Sequence, residues 1–291
     1  VQARVWELEL QEPGSSIFNE PLAIRISGAL QVSELERAFN EVIRRHESLR
    51  TVFQQVDGRA VPRILPEVHI PLSVVDLRDF AGDREAEAMR LARLEPTEPF
   101  PLDRGPLARV RLLRLADTEH VLLVTIHHIV ADTLSLVNFI REAVALYSGF
   151  TRGVSVPLPE LPIQYLDFAV WQRRALEDGS LATQQAYWRQ RLAKRPGPLP
   201  LPLDRPRVAG ARRQGARHSF ALSRELGAAL KAFSQREGLT PYMTLLAGFK
   251  ALLARWSGQE DILVGTSIGN RTRPELEPQI GYVAHALALR T

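Results

Sequence analysis

The stretch VLLVTIHHIVADTLSLVNFIREAVALY, residues 121–147, constrains the fold more than any other. Its first six residues form a leucine and β-branched run that reads as a buried strand. From about residue 134, Leu136, Val137, Ile140, Val144 and Tyr147 share one helical face, and Ser148-Gly149 is the expected stop. A strand that passes straight into a helix calls for layers of helix on sheet. At the junction stand His127, His128 and, four residues on, Asp132.

The rest of the chain alternates in the same way. SELERAFNEVIRR (33–45) reads as a helix with a capping box, Ser33 capping and Glu36 reaching back. Its apolar face is Leu35, Phe39, Val42 and Ile43. HESLRTVF follows and ends as a strand. Residues 106–114 and 119–126 read as neighbouring strands. Residues 165–195 read as helical, and the proline-dense stretch 195–210 as an extended connector between two lobes. A helix over 223–238 is stopped by Gly238. A second, over 240–258, has Thr240 as cap and Pro241 in its first turn. DILVGTSI and GYVAHALALRT read as strands. The expected class is α/β, with α+β sandwich lobes.

Composition narrows the function classes. The 291 residues are 45% hydrophobic and 24% charged, a globular mixture long enough for two lobes. The net charge of +4 suits acidic or phosphate partners, but no basic run is interleaved with aromatics, so nucleic acid is not an expected partner. The absence of cysteine excludes disulfides, thiolate nucleophiles and cysteine-based zinc sites, and fits a cytoplasmic protein. No apolar run is long enough for a bilayer, and no signal peptide is visible. A chain that opens on Val1 is expected to be a piece of a longer protein.

The histidine pair admits three readings. A metal site is disfavoured, because adjacent strand residues point to opposite faces and no HExxH spacing exists. Two buried, hydrogen-bonded histidines form the plainest reading. A catalytic reading needs one imidazole facing a cavity and the other anchoring the turn. Asp132 then needs a cation, since a buried carboxylate alone is costly, or it caps the following helix. RRHESLR (44–50) offers three arginines. Strand parity does not say which histidine faces the cavity.

HHxxxDxxS resembles the core motif of condensation domains of nonribosomal peptide synthetases, on the chloramphenicol acetyltransferase-like fold. The surrounding segments are similar to the family's other motifs: QARVWELELQEPGSSIFNEPLAIRISG (2–28), RHESLRTVF (45–53), YLDFAVWQ (165–172), YWRQRL…LPLDRPR (187–207) and SGQEDILVGTSIGNR…IGYVAHALALR (257–290). The opening segment looks like the subtype that joins an L-donor to an L-acceptor. The resemblance implies two lobes in a V-shaped pseudo-dimer: residues 1–175 as the N-terminal lobe bearing the motif, and residues 176–291 as the start of an incomplete C-terminal lobe.

The resemblance also implies the chemistry. A donor acyl or peptidyl thioester and an acceptor aminoacyl thioester arrive on upstream and downstream peptidyl carrier proteins, each on a 4'-phosphopantetheine arm. The domain itself binds no metal and no cofactor. Adenylation or other synthetase domains are expected in cis, and no membrane partner. His128 is the implied catalytic residue. His127 and Asp132 are implied to be structural, with Asp132 paired to Arg45 or Arg50. Ser135 either caps the helix or faces the site, and Tyr165 and Trp171 are candidate tunnel residues. Arg271 and Arg273 are candidate phosphate or carrier contacts.

Two places depart from the family's pattern. Thr133 and Leu134 stand where glycine and often tryptophan follow the aspartate, and His285-Ala286 stands for Asn-Thr. These admit a non-standard member (epimerization, dehydration or cyclization) or a catalytically silent scaffold that recruits a partner enzyme. Retention of His127, His128, Asp132, Arg45 and Arg50 argues for catalysis.

Overall fold

The apolar run at 121–126 lies in an inner strand of a four-stranded mixed sheet. The computed structural model describes residues 2–206 and 218–291; the tail of the proline-dense connector, 207–210, lies outside them. In chain order the first half comprises α1 (Gln2–Gln11), β1 (Asn19–Ser27), α2 (Val32–Arg45), β2 (Thr51–Val56), β3 (Arg59–Ile64), β4 (Leu72–Asp76), α3 (Arg84–Leu94), β5 (Ala108–Ala116), β6 (Glu119–His127) and α4 (Thr133–Phe150). Then come α5 (Tyr165–Glu177), α6 (Ala182–Leu192), α7 (Arg224–Arg236), α8 (Pro241–Ser257), β7 (Leu263–Ile268) and β8 (His285–Arg290). The chain divides into two compact units. One is Val1–Ser180 with Ile268–His285, the other Leu181–Ser267 with Ala286–Thr291.

In the first unit the sheet order is β1–β6–β5–β4. β1 and β5 flank β6 antiparallel, and β4 runs parallel to β5. The period of two sends alternate side chains to two layers. Leu122, Val124 and Ile126 of β6, with Val110 and Leu112 of β5, meet α2 and α4 through Phe39, Val42, Ile43, Leu136 and Phe139. Leu123 of β6 and Leu113 and Leu115 of β5 meet Ala88 of α3 on the opposite face. Both faces of β6 are therefore covered, which is why its sequence reads as a continuous apolar run. β2 and β3 form a separate hairpin.

The second unit holds α6, α7, α8 and most of the paired strands β7 and β8. Ser223 and Thr240 cap α7 and α8, and Gly238 and Gly258 take left-handed φ just beyond each helix, as the turn chemistry requires. Residues 195–206 carry neither helix nor strand. No helix among the described residues is long and apolar enough to cross a membrane.

Three expectations are corrected. The capping box at Ser33 does not form: α2 starts at Val32 after Gln31, whose N–H donates to the Tyr147 hydroxyl. Glu36 instead accepts from Leu72 N–H of β4. The helix expected over 165–195 is two helices, broken where Gly179 adopts φ +82°. And α4 runs through Gly149 to Phe150. That glycine answers to packing, since a Cβ there would lie 2.5 Å from Val156 Cγ2.

The α2–α4 seam centres on Phe39 and Phe139, whose rings stack with centroids 5.4 Å apart and are shielded from solvent. Phe139→Ala is expected to cost about 3–5 kcal/mol, read as a lower denaturant midpoint at unchanged slope.

Candidate functional site

Strand β6 ends at His127, and a tight turn, His128 to Ala131, leads into α4. The two imidazoles part ways there. His127 points inward among Phe18 and Phe100, its side chain 2% exposed. Its Nδ1 accepts the Ile129 N–H at 3.2 Å, so the proton of the neutral ring sits on Nε2, which faces Glu9 Oε1 at 3.4 Å. Gln2 adds a bond to Ile129 O at 2.7 Å, so α1 grips the turn at both ends.

His128 begins the turn and stays 21% exposed. Its own N–H donates to Phe18 O. Its Nδ1 lies 2.8 Å from Ala131 O. A carbonyl only accepts, so Nδ1 carries the hydrogen and the Nε2 lone pair is left uncommitted. The Tyr282 ring packs on the imidazole with centroids 4.2 Å apart. Glu20 Oε1 is 3.6 Å from Nδ1.

Asp132 caps α4 and organises everything behind the turn. Its Oδ1 accepts from Ser135 N–H at 2.9 Å, the Ser135 hydroxyl at 2.7 Å and Arg271 Nη2 at 2.9 Å. Its Oδ2 accepts from Arg271 Nη1 at 2.8 Å and from the N–H groups of Val283 and Ala284 at 3.2 and 3.0 Å. Burial pushes this carboxyl up, but the Arg271 guanidinium and the Ser135 donors outweigh that and hold it below the usual aspartate value. The expected need for a cation and the expected cap are thus both met by one side chain.

The cation itself is Arg271, in place of the expected Arg45 or Arg50. Those two are committed elsewhere. Arg45 Nε lies 3.1 Å from Glu142 Oε2, an oxygen that also meets buried His46 Nε2 at 3.0 Å, and its guanidinium donates to Pro159 O as well. Arg50 donates to Leu65 and Pro66 carbonyls. Arg271 lies 139 residues from Asp132 in sequence, in the return segment 268–285 that completes the first unit. The sequence offers Arg271 as a phosphate or carrier contact; buried against Asp132, it is instead the carboxylate's partner, and no local spacing announces that pairing.

Ser135 is buried. Its hydroxyl accepts Gly281 N–H at 3.0 Å and lies 2.9 Å from Gly281 O, so it both ends the first turn of α4 and holds the return segment. Ser48 bonds Ile280 O at 2.6 Å and Asn138 bonds Glu277 O at 2.7 Å. Tyr165, the first residue of α5, donates its hydroxyl to Tyr282 O at 3.0 Å. Its ring occupies the space a Cβ on Gly281 would need, 2.1 Å from it, so only glycine fits there. Burial pushes the Tyr165 phenol up, and the Tyr282 phenol likewise.

A profile of the condensation-domain family matches residues 1–291. The chain belongs to the condensation-domain family. One of the linear gramicidin synthase polypeptides of Brevibacillus parabrevis is 48% identical over 291 residues, covering 100% of this chain and 6% of that protein. Phosphinothricin tripeptide synthetase PhsC of Streptomyces viridochromogenes is 43% identical over 290 residues, 99% of this chain and 27% of that protein. The crystal structure of the X-domain from teicoplanin biosynthesis superposes with a TM-score of 0.86 at 30% identity, covering 100% of this chain and 64% of that one. The chain thus spans a small part of the synthetases it matches, and the fold is the chloramphenicol acetyltransferase-like α/β fold of nonribosomal peptide synthetase condensation domains.

The condensation domain's two departures have definite surroundings. Thr133 opens α4, exposed, and Leu134 is half exposed with its Cδ1 2.9 Å from where a Cβ on Gly269 would stand. His285 accepts from Gln172 of α5 at 3.0 Å through Nε2, and burial pushes its imidazole below the ordinary value. Trp171 is half exposed, with Arg273 stacked 5.0 Å over its ring. Among the described residues no group of three His, Asp or Glu side chains is placed to hold a metal ion.

The Asp132–Arg271 pair is almost fully buried, at 2% and 7% exposure. Arg271→Met strands the carboxylate and is expected to cost about 3–5 kcal/mol at neutral pH. Because the folded value of Asp132 is depressed, its stabilisation is present above about pH 4 and is lost as pH falls through the folded value. The stability gap between wild type and Arg271→Met should therefore narrow in acid. Denaturant melts against pH check both, and a gap that widens in acid contradicts the assignment.

Proposed function

We propose that this condensation domain forms an amide bond between a donor acyl or peptidyl thioester and the amine of an acceptor aminoacyl thioester, both carried on phosphopantetheine arms of peptidyl carrier proteins. The observation that carries the reading is the asymmetry of the histidine pair. His127 commits both nitrogens to the protein, while His128 commits Nδ1 to Ala131 O and leaves Nε2 free on a partly exposed ring.

In this reading the acceptor amine attacks the donor carbonyl, a C–N bond forms, and the thioester C–S bond then breaks. His128 Nε2 takes the proton the amine sheds and returns it to the departing thiolate, so the phosphopantetheine arm leaves as thiol. The hydrogen bond to Ala131 O keeps the ring in the tautomer this requires, and Tyr282 holds its plane. His127 and Asp132 position the turn. The phosphopantetheine supplies the activated thioester and comes with the partners.

The opening segment 2–28 supports an L-donor, L-acceptor subtype. Residues 1–175, the expected N-terminal lobe, are read as the site-bearing lobe together with the return segment 268–285, and the remainder of 176–291 as the beginning of the second, working in cis with adenylation or other synthetase domains. The two departures support no change of reaction class in this reading, because neither Thr133 nor His285 is bonded to His128.

The test uses the polypeptide that carries this chain. An upstream carrier is loaded with a donor and a downstream carrier with an aminoacyl group, and the downstream arm is weighed by mass spectrometry. A gain equal to the donor acyl group, slowed by about 10²-fold or more in His128→Ala, is the expected result. Transfer unaffected by the substitution removes His128 from the chemistry, and no transfer across donors and acceptors favours a recruitment scaffold.

A further inference from the structure

Three carboxylates approach the histidine turn; Glu9 faces His127, and the two on the His128 side, Asp132 and Glu20, differ in one respect. Asp132 is saturated by six donors and neutralised by Arg271. Glu20 is not. It sits on β1, opposite Ile126 of β6, with its side chain 30% exposed. Among the described residues no lysine or arginine pairs with it, and its one ionic contact is to His128 Nδ1 at 3.6 Å. That distance is too long for a hydrogen bond, so Glu20 does not compete with Ala131 O for the Nδ1 hydrogen. It offers a charge and no more.

A charge of this kind has little to act on while the imidazole is neutral. Once Nε2 takes the amine's proton, a full positive charge develops on the ring beside it. Partial burial, with the Tyr282 ring over the imidazole, leaves less water to screen the pair than at an open surface. An interaction stronger after proton transfer than before it lowers the barrier, whereas one equal in both states only tightens binding.

We propose that Glu20 is a positioning residue for the condensation reaction, stabilising the imidazolium that His128 becomes as it deprotonates the acceptor amine. The inference rests on the amide-forming reading above and deepens it. It makes His128 a proton acceptor, where a ring that merely orients the amine would gain nothing from a neighbouring carboxylate. Sequence reading passes over Glu20 because a carboxylate near the start of an edge strand is ordinary; only the register of β1 on β6, which puts it on the same face as Ile126, brings it to the turn.

The experiment is a double-mutant cycle in the full polypeptide, with the same loaded carriers and single-turnover kinetics. Glu20→Gln keeps shape and removes charge. It is expected to slow transfer at saturating carrier about tenfold, with the half-saturating carrier concentration unchanged. Glu20→Asp, which keeps the charge, should recover more rate than Glu20→Gln. In a His128→Ala background Glu20→Gln should have no further effect. A Glu20→Gln rate equal to wild type overturns the proposal. So does a loss confined to half-saturation, or an equal loss in both backgrounds, the sign of a merely structural role. If His128→Ala itself transfers at the wild-type rate, the amide-forming reading with His128 fails, and that outcome is separate from a failure of Glu20 alone.

Discussion

The buried carboxylate of Asp132 is the interaction on which the site depends. A charge at this depth is tolerated only when its oxygens are fully met, and here they accept from a helix N-terminus, a hydroxyl, a guanidinium and two backbone amides. These donors come from two distant parts of the chain. Ser135 belongs to α4, whereas Arg271, Val283 and Ala284 belong to the return segment 268–285. One side chain thus fixes the helix after the turn and ties the return segment to it.

The consequence reaches His128 through packing. Tyr282 is held by its carbonyl to Tyr165, and its neighbours on either side are held to Ser135 and Asp132, so its ring stays against the imidazole. From the other direction the residue just before β1 brings Phe18 O to the His128 N–H, and α1 brings Gln2 and Glu9 to the turn. The imidazole is thereby oriented from the strand, the helix and the return segment together. That is the arrangement a proton-transfer group needs if its geometry is set before substrate arrives.

Much of this was legible in the sequence. The apolar run, the turn and the helical face at 121–147 announce strand, site and helix, and strand parity requires the two histidines to diverge. The requirement that Asp132 find a cation also follows from elementary electrostatics. The identity of that cation does not, because Arg271 is brought in by tertiary structure across 139 residues, while the arginines nearest the second motif are drawn to Glu142 and to backbone carbonyls. Which histidine faces outward was equally hidden, since it depends on where β6 stops. The break at Gly179 is marked locally by Asp178-Gly179-Ser180, a turn signal, whereas α6 beyond it buries no face that would set it apart as a separate helix. The contribution of α1 was hidden because its polar contacts, Gln2 and Glu9, look like ordinary surface residues.

The membership in the condensation-domain family and the local geometry meet at one atom, the free Nε2 of His128. Selective ¹⁵N labelling of histidine in the full polypeptide, with His128→Gln to assign its signals, reads the tautomer directly. The account predicts a protonated Nδ1 and a bare, pyridine-type Nε2 for the neutral ring. A neutral ring with hydrogen on Nε2 and a bare Nδ1 would contradict it, because the nitrogen offered to the amine would then have no lone pair to receive a proton.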